Sequence, residues 1–203
     1  MIKLISFDLQ GTISNSNFSD TFWLKILPEK YSKHYNIGIQ EAKDNLKNFF
    51  KEVGKYDFKY YDEKYWENLL NFNTKYELEK IDKPKLDLKI LNFISKSKIP
   101  CVIFSTTTHT FIDFELGEYQ ALFKTCISTL EDFHIAGKPA IAFKKLATMF
   151  KIDPQEILHI GDNLEMDIKN PQTAGCKTLL YEDNLYKKLT KFLLKREGND
   201  YSN

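Results

Sequence analysis

An α/β fold built on a doubly wound parallel sheet, with a helical segment inserted early in the chain, is predicted by three observations. Short apolar runs end abruptly in a polar or charged residue at Asp8, Ser105 and Asp162, the pattern of buried strands that stop at a sheet rim. From Lys98 onward such runs alternate with helix-like spacing, the rhythm of βαβ units. Between Ser14 and Lys83 that rhythm stops, and more than half of the Phe, Trp and Tyr residues gather there.

Each element follows from local pattern. Ile2, Leu4, Ile5 and Phe7 make the first strand, followed by a turn to Thr12. Ser19-Asp20 before Phe22, Trp23, Ile26 and Leu27 reads as a cap and a helix. Ile39, Ala42, Leu46, Phe49, Phe50 and Val53 recur at helical spacing and stop at Gly54, as a helix with a C-terminal glycine does. Tyr61, Tyr65, Trp66, Leu69 and Leu70 repeat that spacing, and Leu86, Leu88, Ile90, Leu91, Phe93 and Ile94 form the helix leading to the second strand. Next come a strand, Cys101 to Ser105, a helix over 110–118 and a short strand over 126–128. A helix over 140–150, a strand over 156–160, a helix over 164–173 closed by Gly175, and a last strand over 177–181 complete the alternation. Lys187 to Lys195 reads as a basic amphipathic helix with a solvated lysine face, and Gly198 to Asn203 as a frayed tail. The domain expectation is therefore an α/β core from 1–13 and 84–203, with 14–83 as an inserted helical unit.

Bulk properties narrow the function classes. A chain of 203 residues fits one domain with a sizeable insertion. Lys plus Arg number 29 against 28 Asp plus Glu, so no global field favours nucleic acid. Cys101, Cys126 and Cys176 sit singly among apolar residues and read as buried thiols, not as a disulfide framework or zinc site. No apolar stretch approaches the roughly 20 residues of a membrane span, and Asp8 interrupts the first apolar run before it could serve as a signal peptide. The expectation is a cytoplasmic protein without membrane or nucleic-acid partners, either a monomer or a homodimer.

In an open parallel sheet, ligands bind outside the carboxyl ends of the strands, so Asp8, Ser105 and Asp162 are delivered to one rim. A carboxylate presented before a tight turn at Gly11-Thr12 is a turn residue or a nucleophile. A carboxylate attacking a phosphate, itself an anion, needs a cation beside it. Asp162 and Asp167 are hard-oxygen groups of the kind Mg²⁺ prefers. Lys138 suits neutralisation of the nucleophile and of phosphoryl oxygens. Ser105 either caps the following helix or donates its hydroxyl to a phosphate, with the Thr106 to Thr108 amides behind it.

Taken together, Asp8-Leu9-Gln10-Gly11-Thr12, Ser105, Lys138-Pro139 and Gly161-Asp162-Asn163-Leu164-Glu165-Met166-Asp167 resemble the four motifs of the haloacid dehalogenase superfamily. The resemblance covers 1–15 and about 98–182, and the helical insertion stands where that family's C1 cap stands, as in its phosphoglycolate-phosphatase-like branch. It implies a Rossmann-like core and a Mg²⁺-dependent hydrolase of small phosphorylated metabolites. Asp8 would attack phosphorus in line, and Lys138 would bridge Asp8 and the phosphate. Gly11, Thr12, Ser105 and Thr106 would hold phosphoryl oxygens. The metal would be held by Asp8, the backbone carbonyl of Gln10, and Asp162, with Asp167 a further or more distant ligand.

Gln10 departs from the pattern. Phosphatases of this family usually carry a second Asp two residues after the nucleophile, which protonates the leaving alcohol and then deprotonates the hydrolytic water. An amide cannot exchange protons in that way, and general acid–base help is worth about 10²–10⁴-fold. Three readings stay open: a slow phosphatase; a carbon–halogen- or phosphonate-cleaving relative, which also lacks this Asp; or a phosphate-binding regulator. The dehalogenases carry Tyr there and work without Mg²⁺, so the retained Asp162 and Asp167 favour the metal-dependent phosphoryl site. His109 reads as a surface residue at a helix start, and His159 as a core residue of its strand; His34 and His134 carry no role. Of the aromatic residues in the insertion, Phe18, Phe22 and Trp23 lie nearest the first motif and are the candidates to line a pocket.

Overall fold

The computed structural model describes residues 1–182 and Leu189. The basic helix expected from Lys187 to Lys195 and the expected terminal tail lie outside the described residues, apart from Leu189. Five strands, β1 (Leu4–Phe7), β2 (Cys101–Ser105), β3 (Thr125–Ser128), β4 (Ile157–Gly161) and β5 (Lys177–Leu180), form one sheet. Its order is β3-β2-β1-β4-β5 and every pairing is parallel, the doubly wound arrangement expected. The order reverses between β1 and β4, where such sheets open a crevice for ligands. Phe7 pairs with Ile103 on one side and Ile160 on the other. Asp8 and Asp162, which follow β1 and β4, and Ser105, the last residue of β2, therefore end on one rim.

The strands are short and continuously apolar because both faces are covered. Ile5, Phe7, Ile103, Leu158 and Ile160 pack beneath α6 (Leu88–Lys96) and α7 (His109–Leu116). Leu4, Val102, Phe104, Ile127 and Ile157 face α8 (Ala140–Phe150), with Ala174 of α9 (Asn170–Ala174). Strand alternation places Ser6 and His159 on this second, α8-facing side, a buried polar pair in an otherwise apolar layer.

Five helices lie between β1 and α6: α1 (Asn17–Thr21), α2 (Leu27–Tyr35), α3 (Ile39–Val53), α4 (Glu63–Leu70) and α5 (Thr74–Leu78). Leu27, Leu46, Trp66 and Leu70 form one apolar cluster within this segment. Phe18, Phe22, Ile26 and Leu78 form another around Phe111 of α7, which anchors the segment to the α/β layer. Gly54 ends α3 with φ +73°, as its spacing predicts.

Two helix starts differ from expectation. The first helix begins at Asn17, with Ser19 inside it, because the Ser19 hydroxyl bonds the Ser16 carbonyl and Ser16 bonds Asp20. It continues through a wide turn, Phe22–Ile26, into α2. In α6, Asp87 accepts from the Lys89 and Ile90 amides at 2.9 and 3.1 Å and sets the start there. Leu86 instead belongs to an isolated bridge with Ser14.

Candidate active site

The turn after β1 is set by chain geometry. The amides of Thr12, Ile13 and Ser14 all reach the Leu9 carbonyl, and Gly11 supplies φ +80°, which side-chain-bearing residues rarely adopt. A Cβ there would also lie 2.5 Å from the Asp162 carboxylate, so Asp162 is seated directly against this turn. Asp162 is not a helix cap. Asn163 takes that role, accepting from the Glu165 and Met166 amides, at the start of a wide turn, Leu164–Lys169. The Asp162 carboxyl is left facing Asp8 and Asp167, and one oxygen from each of the three lies within 4.8 Å of the others.

Lys138 is buried between Asp8, 2.8 Å away, and Asp167. Asp167 is fully buried and has both oxygens engaged. One accepts from Lys138 and from His159 Nε2 at 3.1 Å; the other accepts from the Asn163 amide at 2.9 Å. The carboxylate can only accept, so His159 donates from Nε2, and its Nδ1 accepts from the Ser6 hydroxyl at 2.8 Å. Burial lowers the His159 pKa and keeps the ring neutral. Ser6 and His159 are thus a buried brace that fixes Asp167, which in turn aims Lys138 at Asp8.

The charges follow from this packing. Burial would lift the Asp167 carboxyl, but Lys138 and His159 hold it well below the usual carboxylate range. Burial likewise opposes the Lys138 charge, and Asp167 and Asp8 outweigh it, raising its pKa. Burial pushes Asp8 up, with Lys138 opposing that shift. Burial and the neighbouring Asp8 and Asp167 push Asp162 up to about 6. Three carboxyls share one ammonium, and the site is short of positive charge.

Gly161 lies against Asp167 so closely that a Cβ would stand 2.3 Å from its carboxyl carbon. Asp167 cannot swing aside without losing three bonds. Gly161→Ala is therefore expected to destabilise the chain by about 1–3 kcal/mol, the usual cost of overpacking, and to displace Lys138. Thermal melting and hydrolysis assays on the variant measure both effects.

The remaining predicted residues are brought to the same rim. Ser105 and Thr12 are buried there, and the Thr12 hydroxyl has no hydrogen-bond partner among the described residues. Thr106 and Gln10 border a cavity of about 780 Å³ between the rim and the helical segment. Trp23 lines that cavity, whereas Phe18 and Phe22 are buried in the cluster around Phe111. His109 is a surface residue paired with Asp132 at 2.9 Å.

Three features have no counterpart among the sequence expectations. Glu115 of α7 is buried, accepts from Gln10 Nε2 at 2.6 Å and from the Ser14 hydroxyl, and is pushed by burial up to about 7. Glu63 of α4 accepts from the Thr108 hydroxyl at 2.8 Å, tying the helical segment to the loop after β2. Lys55 and Tyr56 bond Glu165, tying it to the loop after β4. None has a spacing signal, since each joins residues distant in sequence.

Solved structures share this architecture. The chain aligns with the HAD phosphatase of Thermococcus onnurineus at a TM-score of 0.73 and 18% identity, covering 90% of this chain and 87% of that one. It aligns with a predicted phosphoglycolate phosphatase of Haemophilus somnus 129pt at 0.56 and 19%, covering 88% and 84%. A 2-haloacid dehalogenase of Pseudomonas syringae pv. tomato DC3000 aligns at 0.51 and 18%, covering 89% and 86%. At such identities the likeness is one of fold, and it spans both chemistries. No curated protein sequence matches the chain significantly. The family model of haloacid dehalogenase-like hydrolases matches residues 2–175, over β1 to β4, the turn and the acidic rim, and the chain belongs to that family.

Proposed function

We propose that the chain is a Mg²⁺-dependent hydrolase of small phosphate monoesters that works through an aspartyl-phosphate on Asp8. The observation that carries this reading is the charge imbalance at the rim, three converging carboxyls against the single ammonium of Lys138. A hard-oxygen donor set of that kind fits Mg²⁺. Asp8, Asp162 and the Gln10 carbonyl would hold the ion, and Asp167, with both oxygens engaged, takes the more distant position. The bound ion would supply the positive charge that lets a carboxylate approach a phosphate.

The residues present divide the remaining work. A carboxylate oxygen of Asp8 forms a bond to phosphorus as the bond to the leaving-group oxygen breaks, and that oxygen takes a proton from water. Water then attacks phosphorus, the acyl-phosphate bond breaks, and inorganic phosphate leaves with Asp8 restored. Lys138 offsets charge on Asp8 and on the phosphoryl oxygens. The unpartnered Thr12 hydroxyl suits a phosphoryl oxygen, with Ser105 and the Gly11 and Thr106 amides around it. The helical segment acts as a cap that excludes water and selects the leaving group. Gln10 moves no proton, so turnover is slow. The setting is the cytoplasm, and the chain acts as a monomer or homodimer on a phosphorylated metabolite.

A panel of phosphorylated metabolites assayed with and without Mg²⁺, beside chloro- and fluoro-acids, tests the reading. Phosphate release that requires Mg²⁺ is expected. Halide release without metal points to dehalogenation, and ligand binding with no turnover to a regulator.

The metal prediction has a pH signature. An acid whose pKa is raised by folding is destabilising once ionised, and a bound cation relieves that penalty. Mg²⁺ is therefore expected to raise the melting temperature at pH 7.5, where Asp162 is ionised, and to lose most of this effect by pH 5, below its value of about 6. Asp162→Ala is expected to abolish the Mg²⁺ shift together with activity. A shift of equal size at both pH values contradicts the assignment.

A further inference from the structure

The cavity beside the rim has a wall that the phosphoryl chemistry does not use. Lys43, Lys47 and Lys51 all line it, and they stand at i, i+4 and i+8 on α3, on one helix face over about 12 Å. Like charges at i, i+4 work against an isolated helix. None of the three has an ion-pair partner among the described residues. Asp20 also lines the cavity, but one carboxylate stands against three ammonium groups, so the wall carries a net positive charge. Trp23 and Phe50, in edge-to-face contact at 6.2 Å, form an apolar stretch. Gln10 borders the end next to the catalytic rim. Just beyond α3, Lys55 and Tyr56 bond Glu165 of the β4 loop. That contact puts the C-terminal end of α3, and Lys51, nearest the rim, with Lys47 and Lys43 successively farther away.

Resting on the phosphatase reading, we propose that this cavity selects phosphate monoesters whose leaving group carries a second phosphate, bound by the ladder Lys51, Lys47 and Lys43, with a flat ring lying along Trp23 and Phe50. The phosphate at Asp8 is then one end of an elongated two-anion ligand. A cavity of about 780 Å³ has room for a ligand of nucleotide size. Three adjacent ammonium groups recognise a phosphate as point charges, and the aromatic wall suits a planar ring.

The test is calorimetric titration of the full chain carrying Asp8→Asn, with Mg²⁺ present and no turnover expected, using two probes: adenosine 5′-monophosphate and adenosine 3′,5′-bisphosphate. The bisphosphate is expected to bind at least ten-fold more tightly, with the steeper loss of affinity on adding salt. When Lys47→Gln and Lys51→Gln are added together the two probes are expected to bind alike, while added Lys33→Gln, on α2 but outside the cavity lining, keeps the preference. Equal affinities with the ladder intact, no detectable binding of either probe, or a preference that survives loss of Lys47 and Lys51 would each overturn the proposal. Its failure is separable from that of the phosphatase reading. A bisphosphate preference without any phosphate release refutes catalysis and keeps the ladder; Mg²⁺-dependent phosphate release without the preference does the reverse.

Discussion

Asp8→Asn is expected to abolish Mg²⁺-dependent hydrolysis of p-nitrophenyl phosphate, to below a few per cent of the natural rate. This substrate has a leaving group that needs little acid assistance, so the assay isolates nucleophilic attack from the proton transfers that Gln10 cannot perform. The substitution keeps shape and removes charge. It also removes one of the two carboxylates that hold Lys138, whose ammonium remains paired with Asp167. Because Asp8 is buried with a raised pKa, losing its charge relieves a burial penalty, and the variant is expected to melt no lower than the natural chain. The pairing of lost activity with retained stability is what distinguishes a nucleophile from a structural carboxylate. A variant that keeps more than a few per cent of activity removes Asp8 from the mechanism, whatever its melting temperature.

The sheet was legible because each strand carries its own signal. Cys101–Ser105 and Ile157–Gly161 are buried on both faces, so their apolar runs are continuous and their polar ends conspicuous. The α3 boundaries were equally plain, since both the 3.6-residue spacing and the terminal glycine are local. The first helix starts earlier than its pattern suggests because Ser19 and Asp20, inside it, bond Ser16 just before it, and a sequence does not show which of several hydroxyls stands at a helix start. At the site, Asp8, Ser105, Lys138 and Asp162 were found through strand ends and motif order. His159 was assigned only to the core, which is where it lies. Its function comes from partners 153 residues away at Ser6 and eight away at Asp167, and only the first of these requires the β1–β4 register to be known. The contacts that join the helical segment to the rim, Glu63 with Thr108 and Lys55 with Glu165, depend on the tertiary arrangement alone.

Gln10→Asp by itself is expected to raise turnover only slightly, and the Gln10→Asp, Glu115→Gln double variant by roughly 10-fold or more. On the proposed mechanism, phosphorylation of the natural chain can proceed with an acidic leaving group, but hydrolysis of the aspartyl-phosphate would lack a positioned base. Dephosphorylation then limits the cycle, and a burst of p-nitrophenolate with a trappable acyl-phosphate on Asp8 is expected. The Gln10 side chain is not free to be replaced by any carboxylate. Its amide donates to Glu115 at 2.6 Å, and the other Glu115 oxygen accepts from Ser14. A carboxylate introduced at position 10 would face that of Glu115 with no donor between them. One of the two must hold a proton or turn away, since two adjacent carboxylates do not both ionise freely. Glu115 is already pushed up to about 7 by burial, and the new group would raise it further while being held in place as a poor base. Glu115→Gln reverses the polarity of the contact: an amide at 115 donates to the introduced carboxylate and holds it ionised. Rapid-quench measurement of burst amplitude and steady-state rate separates the two steps. The burst is expected to shrink as the steady state rises in the double variant. An absent burst in the natural chain, with both variants unchanged in turnover, would show that Gln10 is not the bottleneck and that another group carries the proton.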